Sequence, residues 1–285
     1  MLDMLCQIPC ACGNEETIKK YIKTKTDGYE DSIGNFIVSK NDGQKKLMIF
    51  CGIDEDTLTA MSIDGKKVYV THQGTQKLPL GSLVSFGGYT GVLQAKDAAK
   101  PDKDLYVDML TGGFENIGAA GIVCAEYTTE ENVIFTKDAA EKIAVCAMLE
   151  CIDLKTDYDA SFVFGVQSKN NNKGAIVATR EIEPDFVLSF EKTKSEGLTY
   201  KAVGKGFVIS SAAKEKIERI CDKLDIEIKP EADSEQPSCV QALGAPNTVV
   251  VGIPVRFFDE IRQACDIKYK DIIKKIIKAF LEEGK

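Results

Sequence analysis

KKLMIFCGID, Lys45 to Asp54, is the stretch whose reading decides the fold. Its centre, Leu47 to Ile53, is apolar at successive positions rather than at alternate ones. A strand of that kind must be covered on both faces, which places it in the middle of a sheet between helical layers. Upstream, Ile18, Tyr21 and Ile22 mark a short amphipathic helix, and DSIGNFIVSK (Asp31 to Lys40) reads as a strand entered through Ile33-Gly34-Asn35. Downstream, from about Thr59 to Thr136, short strands such as KVYVTH, LVSFGG, TGVLQA and LYVDML are separated by Gly, Pro and Asp, with no long helical period. This is the pattern of a small all-β barrel or sandwich. After Asp138 the alternation of helices and strands resumes: AAEKIAVCAMLECI and AAKEKIERICDKL are helical, TVVVGIPV is a buried strand, and KDIIKKIIKAFLEE carries an apolar stripe that fits a core-docked last helix. The expected fold is a three-layer α/β/α domain, residues 1–58 and 137–285, with a small β-barrel domain, residues 59–136, inserted in it.

Composition narrows the function classes. The 285 residues carry a net charge of −8, which argues against nucleic acid as a partner. No apolar run reaches the roughly 20 residues that span a bilayer, and the first residues lack a basic leader, so a cytoplasmic location without membrane attachment is expected. The ten cysteines then read as free thiols in a reducing compartment. Cys6, Cys10 and Cys12 form the densest group, but their CxxxCxC spacing lacks paired knuckles and a neighbouring histidine, so core and loop thiols are the expected reading. His72 is the single histidine, at a strand end in VYVTHQG, where a surface or hydrogen-bonded role is the default. Gly204-Lys205-Gly206 lacks Walker spacing and reads as a turn.

Seven segments in register resemble the family of glutamyl and tetrahedral aminopeptidases, dinuclear metallo-exopeptidases of which some carry an endoglucanase label. They are IPCACGNEE (Ile8 to Glu16), SIGNFIVSK, GTQKLPLGSLVSF with TGVL, LYVDM, VQSKNNNKGA (Val166 to Ala175), VGKGFVI, and GIPVRFFD (Gly252 to Asp259). The resemblance covers nearly the whole chain. It implies two divalent ions bridged by a water that attacks a peptide carbonyl, a glutamate that takes the water's proton, and a ligand set of two histidines and three carboxylates. It also implies dimer formation through the β insert and larger shells built from dimers.

Carried over position by position, the resemblance implies a site with most of its donors replaced. The first ligand histidine falls on Gly52, and the orienting aspartate remains as Asp54. The bridging aspartate falls on Ala140. The general base falls on Ser168 and the next metal-binding glutamate on Lys169, after a retained Gln167. The remaining carboxylate falls on Glu191 and the final histidine on Asp259, while Gln167, Lys169, Glu235 and Arg256 are the candidates for touching a ligand. Without its ions, a carboxylate-lined cleft is costly to bury, and Lys169 is read either as a replacement for metal charge near Glu191 and Asp259 or as a solvent-facing residue of the NNNK loop.

Two functions follow. The first is a catalytically silent aminopeptidase-like protein that needs no cofactor. It binds a peptide or small molecule, or assembles with itself or with an active homologue. The second is an active aminopeptidase with one or two divalent ions (Zn, Co, Mn or Mg) in an oxygen-rich site drawn from Asp54, Glu191 and Asp259. Glycosidase chemistry on paired carboxylates has no motif behind it.

Overall fold

In the computed structural model, residues 1–41, 43–97, 104–204, 206–233 and 247–283 are described. The decisive stretch forms the strand Lys46–Gly52, hydrogen-bonded between two parallel neighbours, Asp159–Gly165 and Phe186–Thr193. Thr248–Pro254 continues the parallel run, and Phe36–Asn41 on one side and Thr199–Gly204 on the other pair antiparallel. The pleat sorts the central strand by period two. Leu47, Ile49 and Cys51 join the larger core on one face; Met48 and Phe50 join a smaller cluster on the other, with Ala175, Ala178 and Ile182 of the helix Lys173–Ile182. The expected α/β/α architecture is present.

The larger face is closed by two stacked helices. Ala139–Cys151 is apolar nearly all round and buried on all sides, as a helix held between sheet and outer layer must be. Over it lies Lys268–Glu282, whose Ile273, Ile276, Ile277, Phe280 and Leu281 are buried, so the stripe read in KDIIKKIIKAFLEE docks on the core. No helix among the described residues is long and apolar enough to cross a membrane.

Six strands, from Thr57–Asp64 to Ala120–Val123, close a barrel around Leu58, Val68, Val84, Leu93 and Val107. The barrel thus begins at Thr57, at the end of the loop leaving the central strand. The strand Val133–Thr136, expected within the insert, pairs instead with Gln263–Asp266 and belongs to a three-stranded sheet beside the α/β lobe.

A buried lysine fastens the C-terminal helix. The Lys216 ammonium, on helix Ser211–Lys223, lies 4.9 to 5.0 Å from the ring centres of Tyr158, Phe186 and Phe280, and it donates to the Tyr158 hydroxyl at 2.6 Å. That hydroxyl in turn donates to the Glu283 carbonyl at 3.0 Å. Burial pushes Lys216 from 10.5 down to about 8. A base whose folded pKa is depressed binds its proton less well folded than unfolded, so stability rises with pH between those two values. Denaturant titrations of wild type and Lys216→Met should therefore diverge from about pH 8 to pH 10.5 in favour of wild type. A constant difference across that window would show that the rings hold the ammonium as well as water does.

Candidate functional site

The C-terminal end of the central strand opens on a cleft of about 280 Å³, bordered by Gly52, Ser168, Lys169, Glu191, Lys192 and Phe258. Strand ends at the edge of an open α/β sheet are where such folds place their chemistry.

Asp54 is buried and orients the loop that follows Gly165. Its Oδ1 accepts from the Ser168 amide at 2.8 Å and hydroxyl at 2.5 Å, and its Oδ2 accepts from the Lys169 amide at 2.9 Å. Gln167, at φ +50°, donates its amide to Glu15 Oε1 at 2.9 Å. The loop is thereby fixed with Ser168 against Gly52. A Cβ on Gly52 would stand 2.5 Å from Ser168 Oγ and 2.7 Å from its Cβ. The space a side chain at position 52 needs is already filled.

Lys169 turns inward. Its Nζ lies 2.7 Å from Asp138 Oδ1 and 3.8 Å from both Asp56 and Glu141. The expectation that it sits with Glu191 and Asp259 is corrected in its partners. Glu191 is paired with Lys201 at 3.3 Å, and Asp259, half-exposed on the turn after Arg256, with Lys194 at 3.4 Å. The solvent-facing reading of Lys169 fails as well, because three carboxylates hold it. Desolvation works against its charge, but Asp138, Glu141 and Asp56 outweigh it and hold the ammonium well above the ordinary lysine range.

Two of the carboxylates around Lys169, Asp56 and Asp138, belong to one hydrogen-bonded chain that crosses from the barrel to the α/β lobe. His72 Nε2, on barrel strand Lys67–Gln73, lies 3.0 Å from Asp56 Oδ2. The Gln76 amide donates to the same oxygen at 2.8 Å, and the Gln76 side-chain amide donates to Asp138 Oδ1 at 3.0 Å. Gly74, at φ +134°, passes so close to Asp56 that a Cβ there would lie 2.1 Å from the carboxylate. Only glycine permits this wrapping. Beside this chain, buried Glu55 is paired with Lys137 at 2.6 Å and Lys142 at 3.2 Å. Ala140, between Asp138 and Lys142, is buried in the core.

The structure brings Gly52, Asp54, Ser168 and Lys169 together, and with them Asp56, Gln76 and Asp138, which were not among the expected site residues. The signal was available: GIDED places two further acids after Asp54, and the acid of TKDAAEK stands immediately before the helix Ala139–Cys151, whose amides it does not cap. Arg256 is exposed on the outer rim, away from this cluster, and Glu235 lies outside the described residues. Cys12, Glu15 and Asp54 offer donor atoms within 4.8 Å of one another. The oxygens of Asp54 and one of Glu15 are already engaged by N–H and O–H donors, and burial pushes the Cys12 thiol up, away from the thiolate a metal would need. Cys6 and Cys10 are core thiols, as expected.

With this geometry in hand, comparison with known proteins places the fold. No protein-family model matches the chain. A candidate aminopeptidase of Acetivibrio thermocellus is 26% identical over 203 residues, 64% of this chain and 62% of its own length. The chain therefore matches less than two thirds of that curated relative. Among solved structures, the TET1 peptidase of Pyrococcus horikoshii superposes with a TM-score of 0.87 at 20% identity, over 99% of this chain and 98% of the other. An aminopeptidase of the archaeon Desulfurococcus kamchatkensis gives 0.86 at 21%, over 99% and 93%. A protein of Thermotoga maritima described as an endoglucanase gives 0.82 at 21%, over 100% and 97%. The chain has the fold of the tetrahedral aminopeptidases, and the expected resemblance holds at the level of architecture.

The cluster has a pH signature. Burial pushes Asp138 from 3.8 up to about 6, with Glu141, Asp56 and Glu55 adding to the rise and Lys169 opposing it. A carboxyl whose folded pKa is raised stabilises the fold most when protonated, so its contribution falls as pH rises from about 4 to about 6 and is flat above. Asp138→Asn should remove that fall. Urea denaturation of both proteins from pH 4 to 7 checks it; parallel curves would show that Asp138 ionises as it does in the unfolded chain.

Proposed function

We propose that this chain is a catalytically silent aminopeptidase-like protein that keeps the scaffold and cleft of the tetrahedral aminopeptidases without their metal chemistry. It binds a peptide or a small molecule there and assembles with copies of itself or with an active homologue. One observation carries the reading: the position that by resemblance holds a metal-binding glutamate bears the Lys169 ammonium, locked among Asp138, Asp56 and Glu141.

The residues present do not fit a two-metal centre. Gly52 and Ala140 offer no side-chain donor, and the Ser168 hydroxyl, which donates to Asp54, is a far weaker proton acceptor than the carboxylate that the resemblance puts there. Glu191 and Asp259 are already paired with lysines. A cation brought to the cleft would meet Lys169, whose charge is fixed. The peptidase-like fold thus serves binding: Lys169, Lys192 and Lys201 alternate with Glu141, Glu191 and Glu231 on the cleft walls, a surface that suits a ligand with both charges.

Two experiments test this. Protein purified without chelator should hold sub-stoichiometric metal and should not hydrolyse aminoacyl chromogenic substrates after addition of Co²⁺ or Zn²⁺. Stoichiometric metal with turnover would overturn the reading. Restoring donors by Gly52→His with Lys169→Glu should fail to create a metal site and should destabilise the fold by about 1–3 kcal/mol or more, because a side chain at 52 collides with Ser168. Metal titration and thermal melting check both parts.

Assembly is supported by the Pyrococcus horikoshii TET1 peptidase, which forms a tetrahedron or an octahedral shell. It is also supported by the exposed apolar residues Tyr89, Leu110 and Ile117 of the barrel segment. Light scattering should give a mass of at least a dimer, and Leu110→Asp with Ile117→Asp should lower it. A monomeric wild type would overturn this part.

A further inference from the structure

We propose that the outer cavity beside Arg256 is a binding site for a free α-amino acid with an aromatic or large apolar side chain. This site is distinct from the cleft, and the inference stands whether or not the cleft holds metal.

The cavity, about 830 Å³, opens between the end of strand Thr248–Pro254, the strand Gln263–Asp266 and the first turn of helix Lys268–Glu282. Its volume is that of a small-molecule site. Val255, Ala264 and Tyr269, all buried, form an apolar lining, and Phe257 and Phe258 add aromatic surface. Phe258 also borders the cleft, so the two spaces share one wall.

The charges around this cavity decide the ligand. Lys194 is matched to Asp259 at 3.4 Å, and Lys268 to Asp266 at 3.1 Å. Arg256 and Glu196 remain, both exposed, and neither side chain has an ion-pair partner among the described residues. One cation and one anion are thus left beside an apolar lining. An α-amino acid is the complement. Its carboxylate suits the guanidinium, which takes carboxylates through paired N–H donors, its ammonium suits Glu196, and its side chain suits the aromatic and aliphatic surface. The buried Tyr269 hydroxyl adds a donor that is poorly used: among the described residues its one hydrogen bond is to the Glu196 carbonyl at 3.5 Å, the long limit for such a bond.

The backbone of the Arg256 turn agrees. Phe257 is 58% exposed and sits at φ +59°, a left-handed conformation that is costly for an aromatic residue. It is held there firmly. Arg256 exchanges two backbone hydrogen bonds with Ala264, at 2.9 and 3.2 Å, and the Glu260 amide donates to the Phe257 carbonyl at 3.0 Å. The Phe257 ring packs edge-on against Phe135 at 6.0 Å, and the Arg262 guanidinium lies over Phe135 at 4.6 Å. So strained a turn buries little of Phe257; it fixes the backbone from which Arg256 and Phe257 reach the cavity. A site fixed in advance loses little entropy when its ligand arrives.

Isothermal titration calorimetry with L-phenylalanine tests the site. Wild type should bind it, and should bind phenylalaninamide, which lacks the carboxylate, and 3-phenylpropionate, which lacks the ammonium, each about tenfold more weakly. Arg256→Gln should weaken L-phenylalanine about tenfold without weakening phenylalaninamide, and Glu196→Gln should weaken it about as much without weakening 3-phenylpropionate. Both side chains are exposed, so the variants should melt as wild type does. Absence of L-phenylalanine binding at millimolar concentration would overturn the proposal. So would binding that both variants keep at full strength, or that Lys201→Gln in the cleft abolishes while Arg256→Gln does not.

Discussion

Buried negative charge is the constraint on which this site depends. Asp54, Glu55 and Asp56, just past the end of strand Lys46–Gly52, and Asp138, just before helix Ala139–Cys151, are all almost wholly withdrawn from solvent. Carboxylates cannot remain ionised in such a place unless cations or several N–H donors face them. Here the chain supplies both. Asp54 is held by two backbone amides and a hydroxyl, Glu55 by Lys137 and Lys142, and Asp138 by Lys169 and Gln76. The loop carrying Ser168 and Lys169, the entry to the barrel and the first turn of helix Ala139–Cys151 meet at these contacts. Their relative positions follow from where the charges must be matched.

The same constraint explains how much of the molecule was legible beforehand. The fold was readable because its signals are local and periodic: an apolar run at Leu47 to Ile53 can only be a strand dry on both faces, and the Ile276, Ile277 and Phe280 stripe can only be the inner side of a helix. The vacated positions were readable from register, since Gly52 and Ala140 stand in frames fixed by neighbouring residues. The partners of Lys169 were not. A lysine side chain reaches far enough to choose among several carboxylates, and the choice was settled by Asp138, which at φ +46° ends a loop and turns its carboxyl inward. No period or spacing carries that turn. The limits of the barrel were blurred for a related reason: Val133–Thr136 has the composition of its neighbours, and only its partner, Gln263–Asp266, assigns it to the other lobe.

Charge matching also separates two kinds of lysine in this chain. Lys137, Lys142 and Lys169 face carboxylates and serve as fixed counter-ions. Lys192 and Lys216 face carbonyls, hydroxyls and aromatic rings, and desolvation prevails over attraction at both. Partner type, more than depth of burial, decides whether an amine here is inert or titratable: Lys142 and Lys216 are both buried, yet one is driven up by Glu55 and kept charged while the other is driven down.

The strand order has a consequence for how the chain acquires its shape. Lys46–Gly52 finds its two neighbours only in segments that follow the entire barrel. Closing so long a loop is entropically unfavourable and slows pairing. The barrel strands, by contrast, mostly pair with near neighbours in sequence, as Thr57–Asp64 does with Lys67–Gln73 and Leu83–Phe86 with Tyr89–Ala95. A barrel that forms early would draw its two ends together and shorten the effective tether between the halves of the sheet. The insert is then expected to act as a folding clamp for the lobe that contains it.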